Sequence, residues 1–177
     1  MVNPVLKAIK ERRSTLRFKP IQVDEEKIYQ ILEAGRWAPS WTNSQPWSFI
    51  IVTDSELKQQ LSQAGLTLFS KGIQEASHVI IVVVDPTKDP FHHIEDGSIA
   101  TQNIALASHS LGLATYWIGI FNLEGEKESA EGAVKEILKI PKDLRVISIL
   151  PIGVPAYEEQ SERKNLTDII YKNYYGE

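Results

Sequence analysis

The sequence predicts a single α/β domain built as a three-layer sandwich, a central sheet flanked by helices. Three observations carry this expectation. Its 177 residues suit one domain with a sizeable core. No repeat, low-complexity tract or Gly/Ser linker divides them. Apolar strand-like runs are interspersed among segments of helical period, which calls for helices packed on a sheet. The pattern alone leaves strand direction open.

Asn3 followed by Pro4 starts a helix, a cap with proline in the first turn, and Val5, Leu6 and Ile9 form one apolar face up to about Arg12. Asp24 opens a second helix, with Glu25 and Glu26 where the helix dipole favours acids and Ile28, Ile31 and Leu32 at helical spacing. It stops near Gly35, because Pro39 and the polar stretch to Pro46 do not continue it. Trp47 to Thr53 is a strand, and Ser55 caps a short helix containing Leu57 and Leu61. His78 to Asp85 is apolar at nearly every position, as in a strand covered on both faces. The longest helical pattern runs from about Phe91 to Leu113 and ends at Gly112. Its second half is apolar or small almost all round, so it must be buried on most sides, as a central element or in a subunit interface. Thr115 to Phe121 is a third strand or strand-loop, Ser129 to Lys139 a helix, and Leu144 to Gly153 a fourth strand.

Composition removes several function classes. With no cysteine, thiol nucleophiles, disulfides and CxxC metal knuckles are excluded. The longest aliphatic run, Val79 to Val84, is far short of the roughly 20 residues a spanning helix needs. No apolar targeting segment follows Met1, so the expectation is a soluble, cytoplasmic protein with no membrane partner. The first 20 residues carry Lys7, Lys10, Arg12, Arg13, Arg17 and Lys19 against Glu11, a segment net of +5 that leaves −9 for the rest of a chain whose total is −4. An acidic body with no basic-aromatic stripe argues against nucleic acid, while the basic segment points to a smaller anion near residues 7 to 19.

Four segments have the parts for chemistry. In Glu11-Arg12-Arg13-Ser14, two guanidiniums and a hydroxyl offer a planar fork and a short donor suited to a phosphate, or a solvated basic helix end. Between Pro39 and Trp47, prolines stiffen a loop whose Ser40, Thr42, Asn43 and Gln45 match a heterocycle's donors and acceptors, flanked by Trp41 and Trp47. Alternatively it is an ordinary helix-to-strand turn. His92 and Asp96 lie four apart on one helical face, a spacing two metal ligands can use. With no HExxH, a third ligand would have to come from His78, His109 or a distant acid, so no metal is expected. Arg163-Lys164 completes a phosphate clamp if the two ends of the chain meet, and is otherwise a surface dipeptide. No GxGxxG, P-loop or GxSxG elbow is present.

Taken together, ERRSTLRF, PSWTNSQPW, the long DGSIATQNIALASHSLGLATYWIG, ILPIGVPA and a terminal ERK resemble the FMN-dependent nitroreductase family, in its order and over essentially the whole chain. The resemblance implies a homodimer with a central, mainly antiparallel sheet between helices and two FMN molecules in the interface. One domain spans 1–177, with a tail from about 156 reaching the partner subunit.

Carried onto this sequence, Arg12, Arg13 and Ser14 contact phosphate and ribityl, and Arg163, with Lys164, reaches the same phosphate. Pro39, Ser40, Trp41 and Asn43, with Gln45 as a further loop member, belong to the loop that the partner lays against the flavin. Trp117, Ile118, Gly119 and Ile120 form the strand-loop beside the isoalloxazine. Trp41 and Phe69 are candidates for walling the substrate cavity, or for packing. Where the family often has a basic residue two positions after the serine, this chain has Leu16, with Arg17 next.

The implied activity is a ping-pong oxidation of NADH or NADPH through FMN N5, with nitroaromatics, quinones or similar small acceptors and no side chain acting as catalyst. Alternatives on the same fold are reductive dehalogenation or flavin fragmentation. A non-enzymatic phosphate-ligand or nucleic-acid binder is the competing class.

Overall fold

The computed structural model describes residues 3–64, 70–120 and 130–176. Its helices are α1 (Pro4–Glu11), α2 (Glu25–Arg36), α3 (Ser55–Gln63), α4 (Lys71–Glu75), α5 (His93–Ser110) and α6 (Ala130–Leu138). Its strands are β1 (Trp47–Val52), β2 (His78–Val84), β3 (Ala114–Thr115), β4 (Ile118–Gly119) and β5 (Arg145–Gly153). The sheet runs β1-β2-β5-β3, with β4 also on β5, and every pairing is antiparallel.

β2 explains the three layers. All seven of its residues are buried, and successive side chains of a strand point to opposite faces. Val79, Ile81 and Val83 enter one core with Leu61, Ile73 and Val134 from α3, α4 and α6. Ile80, Val82 and Val84 enter the other with Ile28, Ile31 and Ile104 from α2 and α5. The unbroken apolar run therefore reports cover on both faces of an antiparallel sheet. α5 lies close on that sheet because position 97 is glycine: a Cβ there would stand 2.6 Å from Ile147 and 2.8 Å from Val84. Gly112, at φ +75°, turns the chain out of the helix.

Three local expectations shift. Asp54, not Ser55, caps α3, accepting from the Leu57 N–H at 2.9 Å. α5 begins at His93 because the buried Asp89 carboxylate takes the N–H groups of Phe91 and His92 in a turn before it. The stretch 115–121 divides into β3 and β4, each two residues long and each paired with β5. Phe69, Phe121 and Ser129 lie outside the described residues.

Two segments find little cover among the described residues. α1 buries no residue, and Val5, Leu6 and Ile9 are all more than half exposed. From Ala156 to Gly176 every residue is exposed, including Leu166, Ile169, Ile170, Tyr171, Tyr174 and Tyr175.

Candidate functional site: a basic cleft and an aromatic loop at opposite ends of α5

Asn3 caps α1 through the N–H groups of Val5 and Leu6, and Arg12 is the residue at its other end. Beyond it the backbone becomes extended, Ser14 bridging Thr115 and the Thr15 N–H donating to the Thr115 carbonyl at 3.2 Å. This seam sets Arg12 and Arg13 over the C-terminal end of α5, in a cleft of about 400 Å³ that His109, Gly112 and Thr115 also line. Arg13 Nη1 donates to the carbonyls of Lys10 and Arg12 at 2.6 and 2.8 Å, which fixes the guanidinium.

Arg163 of the tail does not line the cleft but lies near enough for its charge to act on Arg12. Burial, then the charges of Arg13 and Arg163, push the Arg12 pKa below its ordinary value. Glu11, Glu158 and Glu159 line the cleft as well, yet among the described residues none of the ion pairs involves Arg12, Arg13 or Arg163. Two buried polar atoms here, Arg13 Nε and Thr115 Oγ1, have no hydrogen-bond partner. Arginines that make no ion pair, beside orphaned polar groups, fit an anion held by charge-assisted hydrogen bonds. Lys164 is exposed on the tail.

Arg17 differs. Its Nε lies 2.9 and 2.8 Å from the two Glu75 carboxylate oxygens and its Nη2 2.7 Å from one of them, a forked ion pair joining the N-terminal segment to α4. Glu75 also accepts from the Phe18 N–H. The basic residue next to Leu16 is thus engaged in holding the fold.

The loop from Pro39 to Gln45 sits at the other end of α5. Both oxygens of the buried Asp96 accept from the Trp41 N–H, at 3.1 and 3.2 Å, and Ser44 Oγ donates to one of them at 3.3 Å. Ser40 Oγ accepts from the Gln45 N–H, and Gln45 Nε2 donates to the Asn43 carbonyl. Thr42, Asn43 and Gln45 all have positive φ, at 49°, 61° and 48°. Three left-handed non-glycine residues in one loop are strained and persist only because their surroundings hold them. The Trp41 indole stays 54% exposed and stacks on the His92 ring at 4.4 Å. Pro39, Ser40, Trp41 and Glu95 border a hollow of about 260 Å³.

In the strand-loop, Ile118 and Gly119 face Ile149 and Ser148 across β5, Ile120 is buried, and Trp117 is half exposed. No group of three or more His, Asp or Glu among the described residues is arranged for a metal. His109 lines the basic cleft and His78 bonds Ser77 and Glu25, both away from His92.

The sequence reading missed what three residues do. Asp96, weighed there with His92 as a metal-ligand pair, instead anchors the loop, and an acid in a helix's first turn otherwise signals only the dipole. Thr115 and Glu75 meet their partners through long-range packing that no local pattern announces.

Comparison with known proteins shows the family. The model of the family described as the nitroreductase family matches residues 9–83 and 65–154. The chain belongs to the nitroreductase family. It is 37% identical, over 87% of each chain, to an Archaeoglobus fulgidus protein named for NADH dehydrogenase/NAD(P)H nitroreductase activity. Among solved structures it resembles an FMN-dependent nitroreductase from Clostridium difficile, with 31% identity, TM-score 0.86 and coverage of 96% of this chain and 99% of that one. A protein from Desulfovibrio desulfuricans described as a nitroreductase in complex with FMN shares 28% identity at TM-score 0.83, with 99% of each chain covered. This nitroreductase-family chain is an oxidoreductase with FMN as cofactor and NAD(P)H-linked chemistry. The residues present fit that cofactor, since the orphaned Arg13 Nε and Thr115 Oγ1 and the unneutralised guanidiniums are what a phosphate monoester would satisfy.

Proposed function

We propose that the protein works as a cytoplasmic homodimer that oxidises NADH or NADPH and reduces nitroaromatics, quinones or similar small acceptors in a ping-pong cycle. When bound, FMN supplies a site that takes a hydride from one substrate and gives it to the next in the same cavity. Arg12, Arg13, Ser14 and Arg163, with Lys164 beside it, hold the phosphate end. Pro39, Ser40, Trp41, Asn43 and Gln45 come from the other copy and close the cavity, with Trp41 as a wall. Trp117, Ile118, Gly119 and Ile120 present backbone groups along the ring system. No side chain is assigned as acid, base or nucleophile. No helix among the described residues is long and apolar enough to cross a membrane.

The observation that carries this reading is the cluster of unneutralised guanidiniums at the cleft. Support for the dimer comes from α5 itself. From Asp96, under the loop, to His109, in the cleft, the helix rises by about 20 Å at 1.5 Å per residue. One chain therefore keeps the two halves of the site apart. A two-fold axis crossing α5 sets the N-terminal end of one copy against the C-terminal end of the other. The uncovered faces of α1 and the tail supply the apolar surface such a pairing needs.

Initial-rate measurements with each pyridine nucleotide and a panel of acceptors test the cycle. Parallel double-reciprocal lines are expected, and intersecting lines would remove the ping-pong order. A purified protein that stays colourless after incubation with FMN would remove the reading altogether.

A further inference from the structure

We infer that the hollow between Trp41 and the first turn of α5 selects the acceptor by charge, taking a flat cationic aromatic ring in preference to an anionic one. This rests on the proposed reading, in which the Pro39–Asn43 loop borders the acceptor cavity.

The hollow has a defined platform. Trp41 is fixed through its backbone by the Asp96 carboxylate, and one face of its indole lies on His92 at 4.4 Å. No second ring stacks on that indole among the described residues, so its other face is available to a ligand. A cavity of about 150 Å³ accommodates benzene, so about 260 Å³ takes one substituted ring.

The charge of the lining has one sign. Glu95 is exposed at its border and Asp96 lies beneath the loop. No Lys or Arg lines it. Two lining carboxylates against one lining imidazole leave the hollow negative whether or not His92 is protonated. An indole face beside carboxylates is the arrangement that attracts a ring carrying positive charge. At the far end of α5, Arg12 and Arg13 share their cleft with Glu11, Glu158 and Glu159 and make no ion pair among the described residues, so a phosphate is drawn there by guanidinium donors.

Three para-substituted nitrobenzenes of similar size test this in the FMN-loaded enzyme: 4-nitrobenzyltrimethylammonium, 4-nitrobenzyl alcohol and 4-nitrobenzoate. The expected order of kcat/KM is cation, neutral, anion, with cation exceeding anion by about tenfold at low salt and by less at high salt. Glu95→Gln, at an exposed position, lowers the cation-to-anion ratio by about threefold, and bound FMN absorbance confirms that the variant is folded. Calorimetry with non-reducible benzyltrimethylammonium and benzoate gives the same order without turnover. Equal kcat/KM values for the three acceptors, or a ratio unmoved in Glu95→Gln, overturn the charge selection while leaving the oxidoreductase reading in place. Failure to reduce any acceptor overturns that reading instead, and calorimetry then decides the pocket by itself, equal affinities for the two ions sinking it.

Discussion

At each end of α5 a charged group suits the helix dipole: Glu95 and Asp96 in the first turn, and His109 in the last with Arg12 and Arg13 over it, in a cleft that Glu11, Glu158 and Glu159 line too. Dipole preference alone would account for either group. Each end also holds two buried atoms without a hydrogen-bond partner, Arg13 Nε and Thr115 Oγ1 at one and Asp89 Oδ2 and His92 Nδ1 at the other, so what separates them is how the charged groups are otherwise engaged. Asp96 accepts from the Trp41 N–H and the Ser44 hydroxyl, and Asp89 from two backbone N–H groups. At the far end Arg12, Arg13 and Arg163 face one another with no ion pair among the described residues. The acids at the first end build a loop, and the cations at the second await a ligand. A charged cluster thus signals binding when its own fold leaves it unsatisfied.

The largest expected effect comes from separating the ends in the proposed dimer. Removing residues 166–177 keeps Arg163 but takes away Leu166, Ile169, Ile170, Tyr171, Tyr174 and Tyr175. Burying a large apolar side chain contributes about 1.5–3 kcal/mol, so even partial cover by the partner makes the dimer at least about a thousandfold weaker without them. Sedimentation at micromolar protein should show monomer with little bound FMN, and a retained dimer would remove the tail from the interface. Next comes the double substitution Arg12→Ala with Arg13→Ala. Hydrogen bonds to charged groups contribute about 1.5–3 kcal/mol each, so FMN affinity should fall by at least a hundredfold in equilibrium dialysis. The melting temperature of the FMN-free protein should hold or rise, because the change relieves repulsion with Arg163. A drop in that temperature would mean the arginines serve the fold.

Asp96→Ala breaks the other end. It leaves the Trp41 N–H and the Ser44 hydroxyl unpaired, at a cost of about 1–3 kcal/mol. Acceptor KM should rise severalfold in steady-state assays while FMN affinity in the basic cleft stays near that of the wild type. A loss of FMN as large as that of the arginine substitutions would erase the distinction between the ends.

Much of this contrast was legible in sequence because it is local. Asn3-Pro4, the ERRS run, the apolar strand over 78–84 and Gly112 each act through neighbouring residues, and each was read in place. The antiparallel order came only through family resemblance, since apolarity on both faces is the same for either direction. α4, five residues long, is too short to show a period. The Trp41–His92 stack joins rings 51 positions apart in sequence, and the Arg17–Glu75 pair spans 58. In sequence Arg17 is one more cation of the basic segment, and only its fold-dependent partner separates it from Arg12.

That pair supplies the smallest and most discriminating effect. Forked hydrogen bonds from Arg17 hold the Glu75 carboxyl below its ordinary pKa. A carboxylate lowered on folding adds stability that is fully present above its unfolded value of about 4.3 and is lost as pH falls through the lower folded value. Glu75→Gln should therefore melt below the wild type at pH 7, with a gap that closes as pH falls below the ordinary carboxylate range. Because the Arg17 and Glu75 side chains are 48% and 22% exposed, solvent screening limits the gap to a few degrees. FMN affinity should not follow it, since Arg17 is engaged by α4 and not by the cleft. If Glu75→Gln instead tightened or weakened FMN binding with no change in melting, Arg17 would belong with Arg12, Arg13 and Arg163 as a ligand-holding cation, and partnership within the fold would no longer tell the two kinds of arginine apart.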